Sequence, residues 1–170
     1  LIELLKSEIF YNDNLNLLVS LKAPKITKTK IFKNLILNFK IEQGMIDFND
    51  TNVELSKIGS ANLSNTNLFF NEGELELNGE LTLKIDDKDK FYKFLQTKKN
   101  SRKMINNIKI NFNYNIQKDV FEFNNILIDD KKSSIEIENF ISNYNLEKKS
   151  FKNLIEIKNF DKKVFNNYDG

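Results

Sequence analysis

The stretch GELELNGELTLKIDD, residues 73–87, alternates apolar and polar side chains at nearly every step. Leu75, Leu77, Leu81, Leu83 and Ile85 fall on one parity; Glu74, Glu76, Asn78, Glu80, Thr82 and Lys84 fall on the other. Successive side chains of a strand point to opposite faces, so the pattern predicts a long strand with one apolar face and one wet face. What that apolar face touches decides both the fold and the function.

The same device recurs on either side. Leu15, Leu17, Val19 and Leu21 alternate with Asn16, Ser20 and Lys22, and Leu18 alone breaks the rhythm. Pro24 ends that strand or marks a sheet edge. Leu35, Leu37, Phe39 and Ile41 alternate with Ile36, Asn38, Lys40 and Glu42; after a turn at Gly44, Ile46 and Phe48 resume the pattern. Residues 68–70 lead through Asn71-Glu72-Gly73 into the central stretch, which makes a second hairpin. VELSKIGSANLS, residues 53–64, reads as two short strands around Ile58-Gly59.

The period changes at DDKDKFYKFLQTKKNSRK, residues 86–103. Phe91, Phe94 and Leu95 share one side of a helix and Asp87 is placed to cap it, which predicts a short helix over 88–98 within an insertion at 87–99. Strands return at NIKINFNYNI, where Ile108, Ile110, Phe112, Tyr114 and Ile116 alternate with Lys109, Asn111, Asn113 and Asn115. DVFEFNNILIDD, with Phe121 and Phe123, and SSIEIENF read as the last strands, with turns near Lys118-Asp119 and residues 129–132. In the tail, Ile157, Phe160, Val164 and Tyr168 suit a helical face, while Phe151, Ile155 and Ile157 could extend a strand; the helical reading, over 151–167, is preferred. NLILNFK at 34–40 and NIKINFN at 107–113 echo each other, each followed by a turn and another alternating strand.

The expected fold is therefore mainly β: one domain over residues 1–170, a curved antiparallel meander of about eight to ten strands with one or two helices. The chain begins at Leu1 rather than Met and is read as a fragment or a processed chain. It has no apolar run approaching the roughly 20 residues that span a bilayer.

Composition removes several functions. With 26 basic and 24 acidic residues, net +2, the chain lacks a nucleic-acid signature. It has no Cys, and so no disulfide or thiolate metal site; it has no His, which removes the commonest general base and metal ligand. The wealth of Asn, Lys, Ile and Phe fits AT-rich coding and suggests a bacterial source. No Gly-rich phosphate loop is present. Carboxylates gather at Asp86, Asp87 and Asp89 and at Asp129 and Asp130, where a glycosidase pair or a calcium site competes with caps and solvated turns; caps and turns are the preferred reading. Asn49-Asp50-Thr51 and Asn62-Leu63-Ser64 match a glycosylation pattern, as chance allows in so Asn-rich a chain. Lysines cluster over 22–33 and 88–103, where anionic headgroups compete with solvated loop and helix faces; the solvated faces are preferred.

The apolar face carries the functional argument. Two short helices cannot cover so many half-apolar strands, so the sheet must fold onto itself, dimerise or hold something apolar. A trough lined by Leu, Ile and Phe offers no polar anchor to a compact ligand. It suits acyl chains, each methylene of which gains about 0.8 kcal/mol on burial.

The stretch LILNFKIEQGMIDFNDTNVELSKIGSANLSNTNLFFNEGELELNGELTLKI resembles the C-terminal region of AsmA-like proteins. A strand, a Gly turn and a strand are followed by an Ile-Gly step and a Leu-x-Gly-x-Leu strand. Residues 35–41, Gly44, 46–48, Ile58-Gly59 and 77–81 carry the likeness, and the helix at FYKFLQ and the strands INFNYNIQKDVFEFNNILID follow it. The likeness spans residues 15–145. It implies a bacterial envelope protein anchored in the inner membrane by an N-terminal helix missing here, projecting a β-groove into the periplasm and supporting phospholipid transport and outer-membrane biogenesis. Its relatives are similar to bridge-like lipid-transfer proteins. It brings no catalytic residues, metal or cofactor. The expected partners are phospholipid acyl chains and the membrane or neighbouring envelope proteins, without nucleic acid.

On this reading the lipid-facing residues are Leu35, Leu37, Phe39, Ile46, Phe48, Leu75, Leu77, Leu81, Leu83, Ile108, Ile110, Phe112, Phe121 and Phe123. The competing reading is a closed β-sandwich serving adhesion or scaffolding without a lipid. An enzyme is the weakest reading, because it would need a buried, strongly shifted carboxylate or lysine in a cleft.

Overall fold

In the computed structural model, residues 12, 14–27, 30–42, 45–148, 151 and 154–168 are described. Eight strands form one antiparallel sheet: β1 (Leu17–Lys25), β2 (Phe32–Glu42), β3 (Met45–Asp47), β4 (Asn52–Leu55), β5 (Gly59–Asn71), β6 (Glu74–Ile85), β7 (Asn107–Asn115) and β8 (Val120–Ile128). The spatial order is β1-β2-β3-β5-β6-β7-β8, with β4 in the same row as β3, between β2 and β5. Except where β3 and β4 share one row, so that β2 also pairs with β4 and β3 with β5, neighbours in space are neighbours in sequence, as in the expected meander. Three helices accompany the sheet: α1 (Lys88–Leu95), α2 (Ile135–Leu146) and α3 (Leu154–Asn166). A short 3-10 turn, Lys99–Ser101, follows α1.

Turn chemistry sets the register. Glu72 and Gly73, with φ of 51° and 81°, form a two-residue hairpin of the primed kind between Asn71 and Glu74, whose twist matches that of the strands. The Gly44 turn lies outside the described residues. Asp87 accepts the amide hydrogen of Lys90 at 2.9 Å and starts α1; Gln96, in the left-handed region at φ 58°, ends it. Asp129 accepts from the amides of Asn106 and Asn107 at 2.7 and 2.9 Å. Both expected carboxylate clusters thus work as caps and turns, with Asp130 paired to Lys109 at 2.6 Å.

Three register shifts bend the sheet: between Lys33 and Ile36, between Ser64 and Asn67, and between Asn111 and Phe112. The second places Thr66, fully buried, directly over Gly79; a Cβ there would lie 2.3 Å from the threonine Oγ1. Gly79 is therefore required by close approach within a strand. Where β3 gives way to β4, the Thr51 hydroxyl takes over the ladder: it receives the Asn38 amide at 3.1 Å and donates to the Asn38 carbonyl at 3.0 Å.

One expectation fails. SSIEIENF is a helix, not a strand. Ile135 and Ile137 alternate locally, but Ile137, Phe140, Ile141 and Tyr144 recur at helical spacing, and Ser134 caps the first turn. The two strands expected around Ile58-Gly59 are present as β4 and β5, and β5 runs on through a bulge to Asn71, joining the strand expected at 68–70. The short helix closes at Leu95 instead of 98, and the tail is helical over Leu154–Asn166, inside the expected 151–167.

Candidate functional site

Directly paired residues of an antiparallel ladder share a face, so the registers assign every side chain. Val19, Leu21 and Ala23 pair with Phe39, Leu37 and Leu35; Ile46 pairs with Ile41 and Leu68. Leu63 pairs with Leu81, which pairs with Ile110; Phe112 pairs with Phe123. Phe39 and Phe48 meet with ring centroids 6.3 Å apart, and Phe112 stacks on Phe121 at 5.2 Å. All the residues read from sequence as lipid-facing therefore lie on one face. The other face carries Glu76, Asn78, Glu80, Lys109, Asn111 and Asn113.

That shared face has two fates. Ile108, Phe112 and Phe123 are buried in a core that includes Phe91, Tyr92 and Leu95 of α1, Ile137 and Ile141 of α2, and Phe160, Val164 and Phe165 of α3. Ile46 and Leu75 are buried in a second cluster with Ile41 and Leu68, whose described members come from strands and from Leu15, Phe48 and Ile116. These five side chains pack against protein and present no free surface. Leu35, Leu37, Phe39, Phe48, Leu77, Leu81, Leu83, Ile110 and Phe121 stay half-buried.

Sequence reasoning missed part of the same surface. Leu55 and Leu63 lie half-buried on it, and Leu17 and Leu21 extend it onto β1 with 40% and 49% of their surface exposed. Leu63 was legible from its alternation with Asn62 and Ser64. Leu55 was obscured by the short strand it occupies. Thr66 interrupts the apolar lining, but its hydroxyl donates to the Ser64 carbonyl at 2.9 Å and offers nothing to a ligand.

The sheet's edges differ as well. Along β8, the Asn145 side chain accepts from the Phe123 amide at 3.0 Å and donates to the Phe123 carbonyl at 2.8 Å, as a neighbouring strand would. Ser133 donates to the Ile126 carbonyl beside it. β1, by contrast, pairs with β2 alone among the described strands and carries Lys22, Pro24 and Lys25, which discourage further pairing. Pro24 thus marks an edge rather than a strand end.

A cavity of about 760 Å³ opens between α2, α3 and the β7–β8 turn, with Phe140, Tyr144, Phe151 and Phe160 in its lining and Lys118 and Lys163 at its rim. Among the described residues the buried Tyr144 hydroxyl has no hydrogen-bond partner; burial, with help from Glu156 and Glu147, pushes its phenol up to about 12. Among the described residues no helix is long and apolar enough to cross a membrane. No protein-family profile, curated protein or solved structure matches this chain.

Proposed function

We propose that the half-buried part of the apolar face binds lipid acyl chains, as a segment of a lipid-conducting β-groove of AsmA type at the periplasmic face of a bacterial inner membrane. There it would support phospholipid transport and outer-membrane biogenesis. The observation that supports this reading is the set Leu35, Leu37, Leu63, Leu81, Leu83 and Ile110: six apolar side chains on one face, none fully packed by protein. Such a surface supplies area and dryness without directed hydrogen bonds, which is what a hydrocarbon tail requires. No catalytic step is assigned to it.

Extraction of the purified protein followed by mass spectrometry tests the reading. Stoichiometric phospholipid is expected from the native chain, and at least a tenfold loss from Leu37→Asp and Leu81→Asp, whose circular dichroism should stay native. Lipid-free native protein, or undiminished lipid in folded variants, would remove the groove reading. Phe112→Asp is a poor test, because Phe112 is buried in the core and its loss threatens the fold. The aromatic packing over β8 favours a second reading, a scaffold module without lipid, which predicts no uptake of apolar dyes.

A further inference from the structure

The cavity of about 760 Å³ between α2, α3 and the β7–β8 turn is separate from the surface assigned to acyl chains, and none of those six side chains lines it. Its wall is aromatic. Phe140 and Tyr144 come from α2, Phe160 from α3, and Phe151 from the segment between them. Tyr144 stacks on Phe151 with centroids 5.7 Å apart and meets Phe160 edge-on at 5.0 Å; Phe140 lies 5.2 Å from Phe160. Phe160 is buried, but Phe140, Tyr144 and Phe151 are only half-buried, so part of this ring cluster borders open space. Aromatic faces carry negative potential, and rings held by one another keep it fixed.

The polar groups of the wall add to that potential. The Tyr144 hydroxyl is buried and, among the described residues, has no hydrogen-bond partner. Burial is the main reason that its proton is held so tightly, and the charges of Glu156 and Glu147 add to it. Glu147 stands at the end of α2 and Glu156 in the first turn of α3, where it offsets the positive end of that helix. α2 has no basic residue in its last turn to offset its own negative end. The lysines of the lining are placed otherwise. Lys118 is held by Glu74 at 2.6 Å, Lys163 lies over the Phe140 ring at 5.8 Å, and Lys148 is exposed past the end of α2. Asp119 accepts from the Tyr114 hydroxyl at 2.9 Å. An anion would meet two carboxylates and the ring faces; a neutral apolar ligand would leave both without a counterpart.

We propose that this cavity binds a small organic cation of the quaternary ammonium class, seated against the rings of Phe140, Tyr144 and Phe151, with Glu147 and Glu156 as its counter-charge. A trimethylammonium group spreads its charge over methyls, so it is easily dehydrated and packs on rings as hydrocarbon does. It asks for no hydrogen bond, and its polarised C–H bonds can lie against the Tyr144 oxygen. Free choline and the headgroup of a choline phospholipid both offer this group. The site does not depend on the acyl-chain reading, and either can fail without the other.

NMR titration of the full chain tests this. Tetramethylammonium and choline should shift the ring resonances of Tyr144 and Phe151 with millimolar affinity. The neutral carbon analogue of choline, with tert-butyl in place of trimethylammonium, has the same shape and should bind at least about tenfold more weakly. Phe151→Leu and Glu156→Gln should each weaken choline binding about fivefold. Tyr144→Phe should weaken it about threefold without loss of thermal stability, since no described group loses a partner. Glu156→Gln and Tyr144→Phe remove no packing, so the test stands even where Phe151→Leu folds poorly. A soluble short-chain phosphatidylcholine identifies the source: tighter binding than choline assigns the site to a lipid headgroup, weaker binding to a free solute, and both keep the site. No binding of either cation, equal binding of the neutral analogue, undiminished affinity in the folded variants, or phosphatidylglycerol of the same chain length shifting the same resonances as tightly would each overturn the proposal.

Discussion

The apolar face over β8 and the apolar face over β1 and β2 are written in the same alternating code and end differently. Ile108, Phe112, Phe123 and Ile126 disappear beneath α2 and α3, while Leu17, Leu21, Leu35 and Leu37 keep contact with solvent. Fully burying a Leu or Phe side chain stabilises by about 1.5–3 kcal/mol, so the first region holds the domain together and the second forgoes much of that gain. The edges repeat the contrast: Asn145 and Ser133 close β8, whereas Pro24 and lysines merely guard β1. Alternation fixes which face is apolar. What lies on that face depends on whether an amphipathic element follows, and among the described residues α2 and α3 follow only the last strand.

The largest effect should come from the covered half. Phe123 is 4% exposed, stacks on Phe160 and touches Phe121, Tyr144 and Phe151. Phe123→Ala should cost about 3–5 kcal/mol in urea denaturation, because the ring's transfer free energy is lost and the aromatic cluster cannot collapse into the space. A loss below about 1 kcal/mol would mean that the helices pack loosely and that the two halves are alike.

Next comes the closed edge. Asn145→Ala removes both hydrogen bonds to Phe123 and leaves a partly buried amide and carbonyl unpaired. About 1–3 kcal/mol is the expected cost. Size-exclusion chromatography should also show concentration-dependent association, since the freed β8 edge becomes a template for pairing. Asn145→Asp, which keeps the acceptor for the Phe123 amide and loses the donor to its carbonyl, should fall between. Unchanged stability and a monomer at every concentration would make the two edges equivalent.

These differences were only partly visible in the sequence. The meander, the Glu72-Gly73 hairpin and the shared face of residues as distant as Leu35 and Phe123 follow from period-two alternation and turn chemistry, both local signals. The second helix was hidden because Ile135 and Ile137 match a strand over three residues, while its helical stripe becomes clear only when the window reaches Ile141 and Tyr144. The bulge at 64–67, which reunites β5 and puts Thr66 over Gly79, depends on a partner strand and has no local signature. Burial was least legible of all. Leu37 and Phe112 have equivalent neighbours in sequence, and only tertiary packing separates them.

The smallest effect is the most informative about the open half. Leu37 pairs with Leu21 and stays half-buried, so Leu37→Ala removes side-chain atoms that were never fully withdrawn from water. In lipid-free protein the cost should be at most about 1 kcal/mol, without a cavity penalty, since solvent can follow the truncated side chain. With lipid bound, the same change should cost more, because Leu37 then loses a contact that the free protein does not have. Urea denaturation before and after delipidation measures the difference. A cost in delipidated protein as large as that of Phe123→Ala would show that protein already seals this face, and the two halves of the sheet would no longer be distinct.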